Sequence, residues 1–176
     1  MNIIVNPTAG GKKGKKVQKI LTRIEKRLTE RKIEYSIHYT KYKGHGTILT
    51  DELIKNGAKD IVVMGGDGTL HEVINGFSNF ENVNLGIIPC GTGNDFVRNF
   101  ADREVFLNPA ALQDGRTVEL DLLRCGDRLC TNMVNIGFDC AVAREAAKLK
   151  RIKIFTPKFS YTLGVFKVIF RKIGTP

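Results

Sequence analysis

No apolar run in this sequence reaches the ~20 residues that a bilayer-crossing helix needs. The N-terminal stretch is broken by Asn6-Pro7 before a secretory signal could form. The four cysteines, Cys90, Cys125, Cys130 and Cys140, make no Cys-x-x-Cys pair, and no histidine cluster stands near them. That argues against a structural metal site or a disulfide scaffold and predicts reduced, partly buried thiols. Internal repeats and low-complexity tracts are absent as well. These absences predict a cytoplasmic chain that touches a membrane at most peripherally. Two common nucleotide fingerprints are also missing. Gly10-Gly11-Lys12-Lys13-Gly14-Lys15-Lys16 has the composition of a Walker A loop but the wrong spacing, and no Ser or Thr follows the lysine. Gly91-Thr92-Gly93 lacks the third glycine of the dinucleotide turn. A P-loop NTPase and an ordinary dehydrogenase are both disfavoured.

What is present suits a folded domain. The 176 residues are enough for one domain with a real core, or for one domain and part of another. Hydrophobic residues make up 42%, which argues against disorder. Lys plus Arg number 28 against 18 Asp plus Glu, a formal charge of +10 that favours polyanions. Much of it lies early, in Lys12, Lys13, Lys15, Lys16, Lys19, Arg23, Lys26 and Arg27. Two interpretations stand: a solvated helix face, or a surface that leans on anionic phospholipid. No recognition motif accompanies the charge, so nucleic acid is not an expected partner.

Strand and helix alternate along the first hundred residues. Ile3–Val5 reads as a short buried strand, followed by a helix with Val17, Ile20, Leu21, Ile24 and Leu28 on one stripe. Ile33–Tyr39 reads as a strand with Thr40 at its end, and Thr47–Lys55 as a helix stopped by Gly57. Asp60–Met64 is the next strand, then a glycine loop and a helix with Leu70, Val73, Ile74 and Phe77 on one face. Asn84–Ile88 is the fourth strand, followed by a loop and a short helix to about Phe100. The pattern predicts an α/β fold: an open, mostly parallel sheet with helices on both faces. After Asp114-Gly115 the character changes. Thr117–Arg124 and Leu129–Ile136 read as strands joined by Gly126-Asp127, a hairpin signal. Ala141–Lys150 and Tyr161–Phe170 read as helices, the latter with enough β-branched content to compete as a strand. The expected division is a nucleotide-binding domain over 1–116 and an incomplete, β-rich second domain over 117–176.

Ligands of open parallel sheets sit at the carboxyl ends of the strands. Four loops leave those ends: Asn6–Gly11, Thr40–Gly46, Gly65–Thr69 and Pro89–Asp95. In the third, Gly65-Gly66-Asp67-Gly68-Thr69 lets backbone N–H groups approach a bound group, at the positive end of a helix. Phosphate fits such a loop. Asp67 repels it directly, so a divalent cation, or water held by one, is expected between them.

Three segments carry a resemblance: Asn6-Pro7-Thr8-Ala9-Gly10-Gly11-Lys12, Gly65-Gly66-Asp67-Gly68-Thr69-Leu70-His71-Glu72-Val73-Ile74-Asn75-Gly76 and Pro89-Cys90-Gly91-Thr92-Gly93-Asn94-Asp95-Phe96. In order and spacing they closely resemble the catalytic domain of the diacylglycerol kinase and sphingosine kinase family, its soluble bacterial lipid kinases above all. Val118-Glu119-Leu120-Asp121 and Asn135-Ile136-Gly137-Phe138-Asp139 also fit, so the resemblance covers about residues 1–140. It implies an α/β nucleotide domain facing a β-sandwich across a cleft that takes ATP and magnesium. It implies nucleotide contacts from Asn6, Pro7, Thr8, Ala9, Gly10, Thr40, Gly65, Gly66, Asp67, Gly68, Thr69 and Thr92. It also implies carboxylates that organise water and magnesium, at Asp67, Asp95 and Asp121. Glu72, which faces away from the apolar stripe, is a further candidate at the rim. The chemistry agrees, because phosphoryl transfer needs alignment and charge neutralisation more than covalent help. Backbone donors at Gly66, Gly68 and Thr69 would hold the phosphates, with Asp67 as the catalytic carboxylate.

In the family the general base falls near the end of a longer chain, so none is assigned here. Residues 1–176 alone are expected to lack normal turnover. The expected function is an ATP-dependent lipid kinase acting on diacylglycerol or a related lipid at a membrane surface. The alternatives are a non-catalytic nucleotide-binding regulator, or a kinase of a soluble alcohol such as NAD, whose kinases share the Gly-Gly-Asp-Gly motif. Lys148–Lys172 mixes basic and aromatic residues. It is either a helix packed on its own domain or an interfacial segment, and an apolar patch there would favour a homodimer.

Overall fold

Ile3, Ile4 and Val5 are all fully buried, so the first strand must be covered on both faces. The computed structural model describes residues 1–11, 14–107, 115–135, 137–150 and 157–173. Strands β1 (Asn2–Val5), β2 (Ser36–Tyr39), β3 (Asp60–Gly65) and β4 (Asn84–Pro89) form one sheet in the order β2-β1-β3-β4. All three pairings are parallel, with Val5 opposite both Tyr39 and Met64, and Gly65 opposite Pro89. The carboxyl ends therefore lie level along one edge.

Side chains alternate across the sheet with period two. Ile3, Val5, Val62 and Met64 meet α1 (Lys15–Glu30), which contributes Val17, Leu21, Ile24 and Leu28 at spacings of four, three and four. Ile4, Ile61 and Val63 join the opposite core, which includes Leu49 and Leu53 of α2 (His45–Lys55) and Leu70, Val73 and Ile74 of α3 (Asp67–Ile74). Each such aliphatic side chain contributes about 1.5–3 kcal/mol on full burial. The outer face of α1 exposes Lys15, Lys16, Lys19, Arg23, Lys26 and Arg27, while Lys12 and Lys13 lie outside the described residues.

Three elements differ from expectation. The second strand begins at Ser36, not Ile33: Ser36 is opposite Asn2 of β1, and ahead of it Glu34 O accepts from the Met1 amine at 3.1 Å. The segment after Phe96 forms two 3-10 turns, Val97–Asn99 and Arg103–Leu107. The hairpin turns at Gly126-Asp127 as expected, but its strands are only β5 (Leu123–Cys125) and β6 (Arg128–Cys130). Residues 117–122 take no strand pairing, and Ile136 lies outside the described residues. An isolated two-stranded ribbon buries too little to extend itself. Asn75 tethers this one: Asn75 Nδ2 donates to Leu129 O and Asn75 Oδ1 accepts from Leu129 N–H, both at 2.9 Å.

Contacts group the chain into two units, Met1–Asn132 and Met133–Pro176. The second holds α4 (Phe138–Lys150) and α5 (Pro157–Ile173), so residues 161–170 are helical. Gly164 permits their close approach, since a Cβ there would lie 3.1 Å from Val142 O. Glu145 is buried between Lys148 at 2.7 Å and Lys167 at 2.9 Å, whose hydrogen bonds hold its carboxyl down at about 2. Among the described residues, no helix is long and apolar enough to cross a membrane.

The cysteines are all free, Cys90 fully buried and Cys125 and Cys140 exposed. Burial pushes the Cys90 thiol up to about 11, although nearby Lys16 pulls it the other way. Maleimide labelling near neutral pH, read by mass spectrometry, is expected to modify Cys125 and Cys140 in the folded protein. Cys90 should react only in denaturant; rapid labelling of native Cys90 would contradict this packing.

Candidate functional site

The strand order places a topological switch between β1 and β3. From β1 the chain crosses to β2 on one side, and from β3 to β4 on the other. Such a divergence opens a crevice above the strand ends. The loop after β1 is shaped by Asn6. Its Oδ1 accepts from the Thr8 N–H at 3.0 Å and the Thr8 hydroxyl at 2.9 Å. Its Nδ2 donates to Thr69 Oγ1 at 2.9 Å, a bond that bridges the crevice between two adjacent strand ends. Gly10, with φ +73°, closes the loop against the carbonyl of Cys90, which a Cβ would strike.

The glycine turn after β3 is tighter than its sequence suggests. Only Gly66 is left between strand and helix, in an extended conformation as the N-cap of α3. Asp67, Gly68 and Thr69, expected in a loop, form the first helical turn. Gly66 O already accepts from the N–H groups of Thr69 at 2.9 Å and Leu70 at 3.0 Å, which starts the helix at once. The expected donor set changes accordingly. The Thr69 N–H is committed to the helix, whereas those of Gly66, Asp67 and Gly68 have no intrahelical acceptor. Thr69 faces Asn6 with its hydroxyl instead. Gly91 lies directly against this turn: a Cβ on it would come within 2.6 Å of Gly66 Cα and 2.7 Å of Asn94 Oδ1.

The Asp67 carboxylate turns back toward the loop after β4. Its Oδ1 accepts from the Phe96 N–H at 3.4 Å, and its Oδ2 lies 2.9 Å from where a Cβ on Gly93 would sit. Asp95 Oδ2 lies 3.4 Å from that same point, while Asp95 Oδ1 pairs with Arg98 at 3.1 Å. Asp67 and Asp95 thus flank one glycine. Asp121 is exposed in the unpaired stretch 117–122. Among the described residues, no three His, Cys, Asp or Glu side chains converge as a direct metal cage. Two carboxylates with free oxygens suit an ion that keeps its own water shell, as magnesium does.

Above the strand ends is a cleft of about 480 Å³. Asn6, Pro7, Thr8, Ala9 and Gly10 line it from the first loop, Gly66, Gly68, Thr69 and Glu72 from α3 and its cap, and Thr40 from the second loop. Gly65 and Asp67 lie behind it, on a small void shared with Asn94 and Phe96. Thr92 is exposed and does not line the cleft, although its neighbour Gly91 does. Glu72 also holds the second loop in place. Its carboxylate accepts from the N–H groups of Gly44 at 2.8 Å and Gly46 at 3.1 Å, capping α2. Lys41, Tyr42 and Lys43, which sequence reasoning misses, also line the cleft. The Thr40–Gly46 loop is recognisable in the sequence, but nothing in its composition says which of its side chains turn inward.

An α/β sheet with a glycine-built turn at its switch point has the architecture of the nucleotide-binding folds. Residues 1–125 match the family model for the diacylglycerol kinase catalytic domain, and the chain belongs to that family. It is similar to YtlR of Bacillus subtilis, a proposed lipid kinase, at 32% identity over 86% of this chain and 53% of that one. It is also similar to the diacylglycerol kinase of Staphylococcus carnosus strain TM300, at 30% identity over 90% of this chain and 51% of the relative. A diacylglycerol kinase crystal structure from Bacillus anthracis strain Sterne superposes with a TM-score of 0.61 at 29% identity, covering 73% of this chain and 48% of that one. The chain spans about half the length of the curated relatives it matches.

Proposed function

We propose that this chain supplies the ATP-binding half of a lipid kinase that transfers the γ-phosphate to a lipid hydroxyl, of diacylglycerol or a related lipid. The observation that carries the assignment is the cleft at the β1/β3 switch, where unpaired helix N–H groups meet a glycine-lined floor. The N–H groups of Gly66, Asp67 and Gly68 hold the phosphates, and Asn6 keeps Thr69 and the first loop in register. Asp67, whose carboxylate accepts from the Phe96 N–H behind the phosphate seat, holds its negative charge beside Asp95 at the loop after β4. Magnesium, held through water by Asp67 and Asp95 with Asp121 as a further contributor, would neutralise phosphate charge when bound. The exposed basic face of α1 supports docking on anionic lipid at a membrane surface.

The test has two stages. ATP is titrated into the chain with and without magnesium, and the complete gene product is then screened with labelled ATP against diacylglycerol, related lipids and NAD. Transfer to a lipid is the expected result. Binding without transfer would make the protein a nucleotide-sensing regulator, and transfer to NAD would replace the acceptor.

A further inference from the structure

Resting on that nucleotide assignment, we propose that Tyr42 is the stacking wall for the base of the bound nucleotide, the residue by which the cleft tells a nucleoside triphosphate from a bare polyphosphate. Tyr42 is the one aromatic side chain among the described residues lining the cleft, and it is 59% exposed. Its position is nevertheless fixed. The His45 ring packs against it with centroids 4.7 Å apart and a 34° tilt. The His45 N–H donates to Tyr42 O at 3.2 Å, and the Lys41 N–H donates to His45 Nδ1 at 3.1 Å. A π-face held this firmly beside open space loses little freedom when a flat ring covers it.

The loop is anchored on both sides. The Thr40 N–H donates to Val5 O at 2.9 Å, and the Glu72 carboxylate takes the N–H groups of Gly44 and Gly46. Glu72 lies on α3, whose first turn is the proposed phosphate seat, so one helix fixes the spacing between that seat and Tyr42. Charge agrees with the assignment. Lys41 and Lys43 flank Tyr42 on the cleft lining, and the carboxylate there, Glu72, has both oxygens occupied. An aromatic between two cations suits a base attached to an anionic chain.

The test compares two ligands on the full chain by calorimetry: ATP and inorganic tripolyphosphate. Tyr42→Ala is expected to weaken ATP roughly tenfold or more, the usual cost of a lost base–aromatic stack. Tyr42→Phe should bind ATP as the parent does, and tripolyphosphate should bind all three proteins alike. Unchanged ATP affinity in Tyr42→Ala would overturn the proposal. So would an equal loss of both ligands, which would make Tyr42 a prop for its loop. If the parent protein takes up neither ligand, the nucleotide assignment itself falls; if it takes up both and only the Tyr42 comparison fails, that assignment stands without its base wall.

Discussion

Replacing Asp67 by alanine in the complete gene product is expected to lower lipid phosphorylation by at least about a hundredfold, the usual loss when a preorganised electrostatic group is removed. The fold should survive. Asp67 is the first residue of α3, where a carboxylate favours the helix by roughly 0.3–1 kcal/mol. For a chain of this size that moves the melting temperature by only about 1–4 °C. Asp67→Asn is the sharper variant. It keeps an acceptor for the Phe96 N–H and the packing against Gly93 while removing the charge. An equal loss in both variants assigns the effect to charge. Unchanged activity would remove Asp67 from the mechanism, and collapse of the melting transition would make it a structural residue.

Gly91→Ala should damage activity and stability together. A Cβ at this position meets backbone on one side, Gly66 Cα at 2.6 Å, and a buried amide oxygen on the other, Asn94 Oδ1 at 2.7 Å. The Gly66 contact is backbone and cannot swing away as a side-chain end would, so the tips of β3 and β4 must part. Overpacking of this kind costs about 1–3 kcal/mol. A displacement of about 1 Å at the phosphate seat can lower turnover roughly a hundredfold. Gly57→Ala is the control. Gly57 has φ +79° after the end of α2, with nothing within 4 Å of the added methyl. It should lose about 1–2 kcal/mol of stability to backbone strain, with turnover per folded molecule unchanged. Equal kinetic damage in both variants, measured alongside thermal unfolding, would show that the Gly66–Gly91 approach has no special role.

The sheet is legible in the sequence because its central strands are continuous apolar runs ended by Asn6-Pro7 and by Gly65-Gly66, and α1 carries an unambiguous stripe. Strand length is less so, since pairing depends on the neighbour: β2 is a strand only from Ser36, which stands opposite Asn2, and among the described residues β5 and β6 pair only with each other. At the site, composition and motif name the four loops and most of the cleft-lining residues. What escapes them is contact between distant residues. Asn6 meets Thr69 across 63 positions, and Glu72 reaches back 28 and 26 positions to Gly44 and Gly46. Asp67 reads as a loop residue because glycines surround it. It is helical because Gly66 O takes two N–H groups at once, a geometric fact that a string of glycines does not advertise.

Residue-resolved NMR of the isotope-labelled chain during an ATP titration tests the phosphate seat most directly. Saturable amide shifts are expected at Gly66, Asp67 and Gly68, with the Thr8–Gly10 loop following and the Gly126-Asp127 turn unmoved. Shifts confined to α4 and α5, or none at all, would show that triphosphate does not lodge at these strand ends.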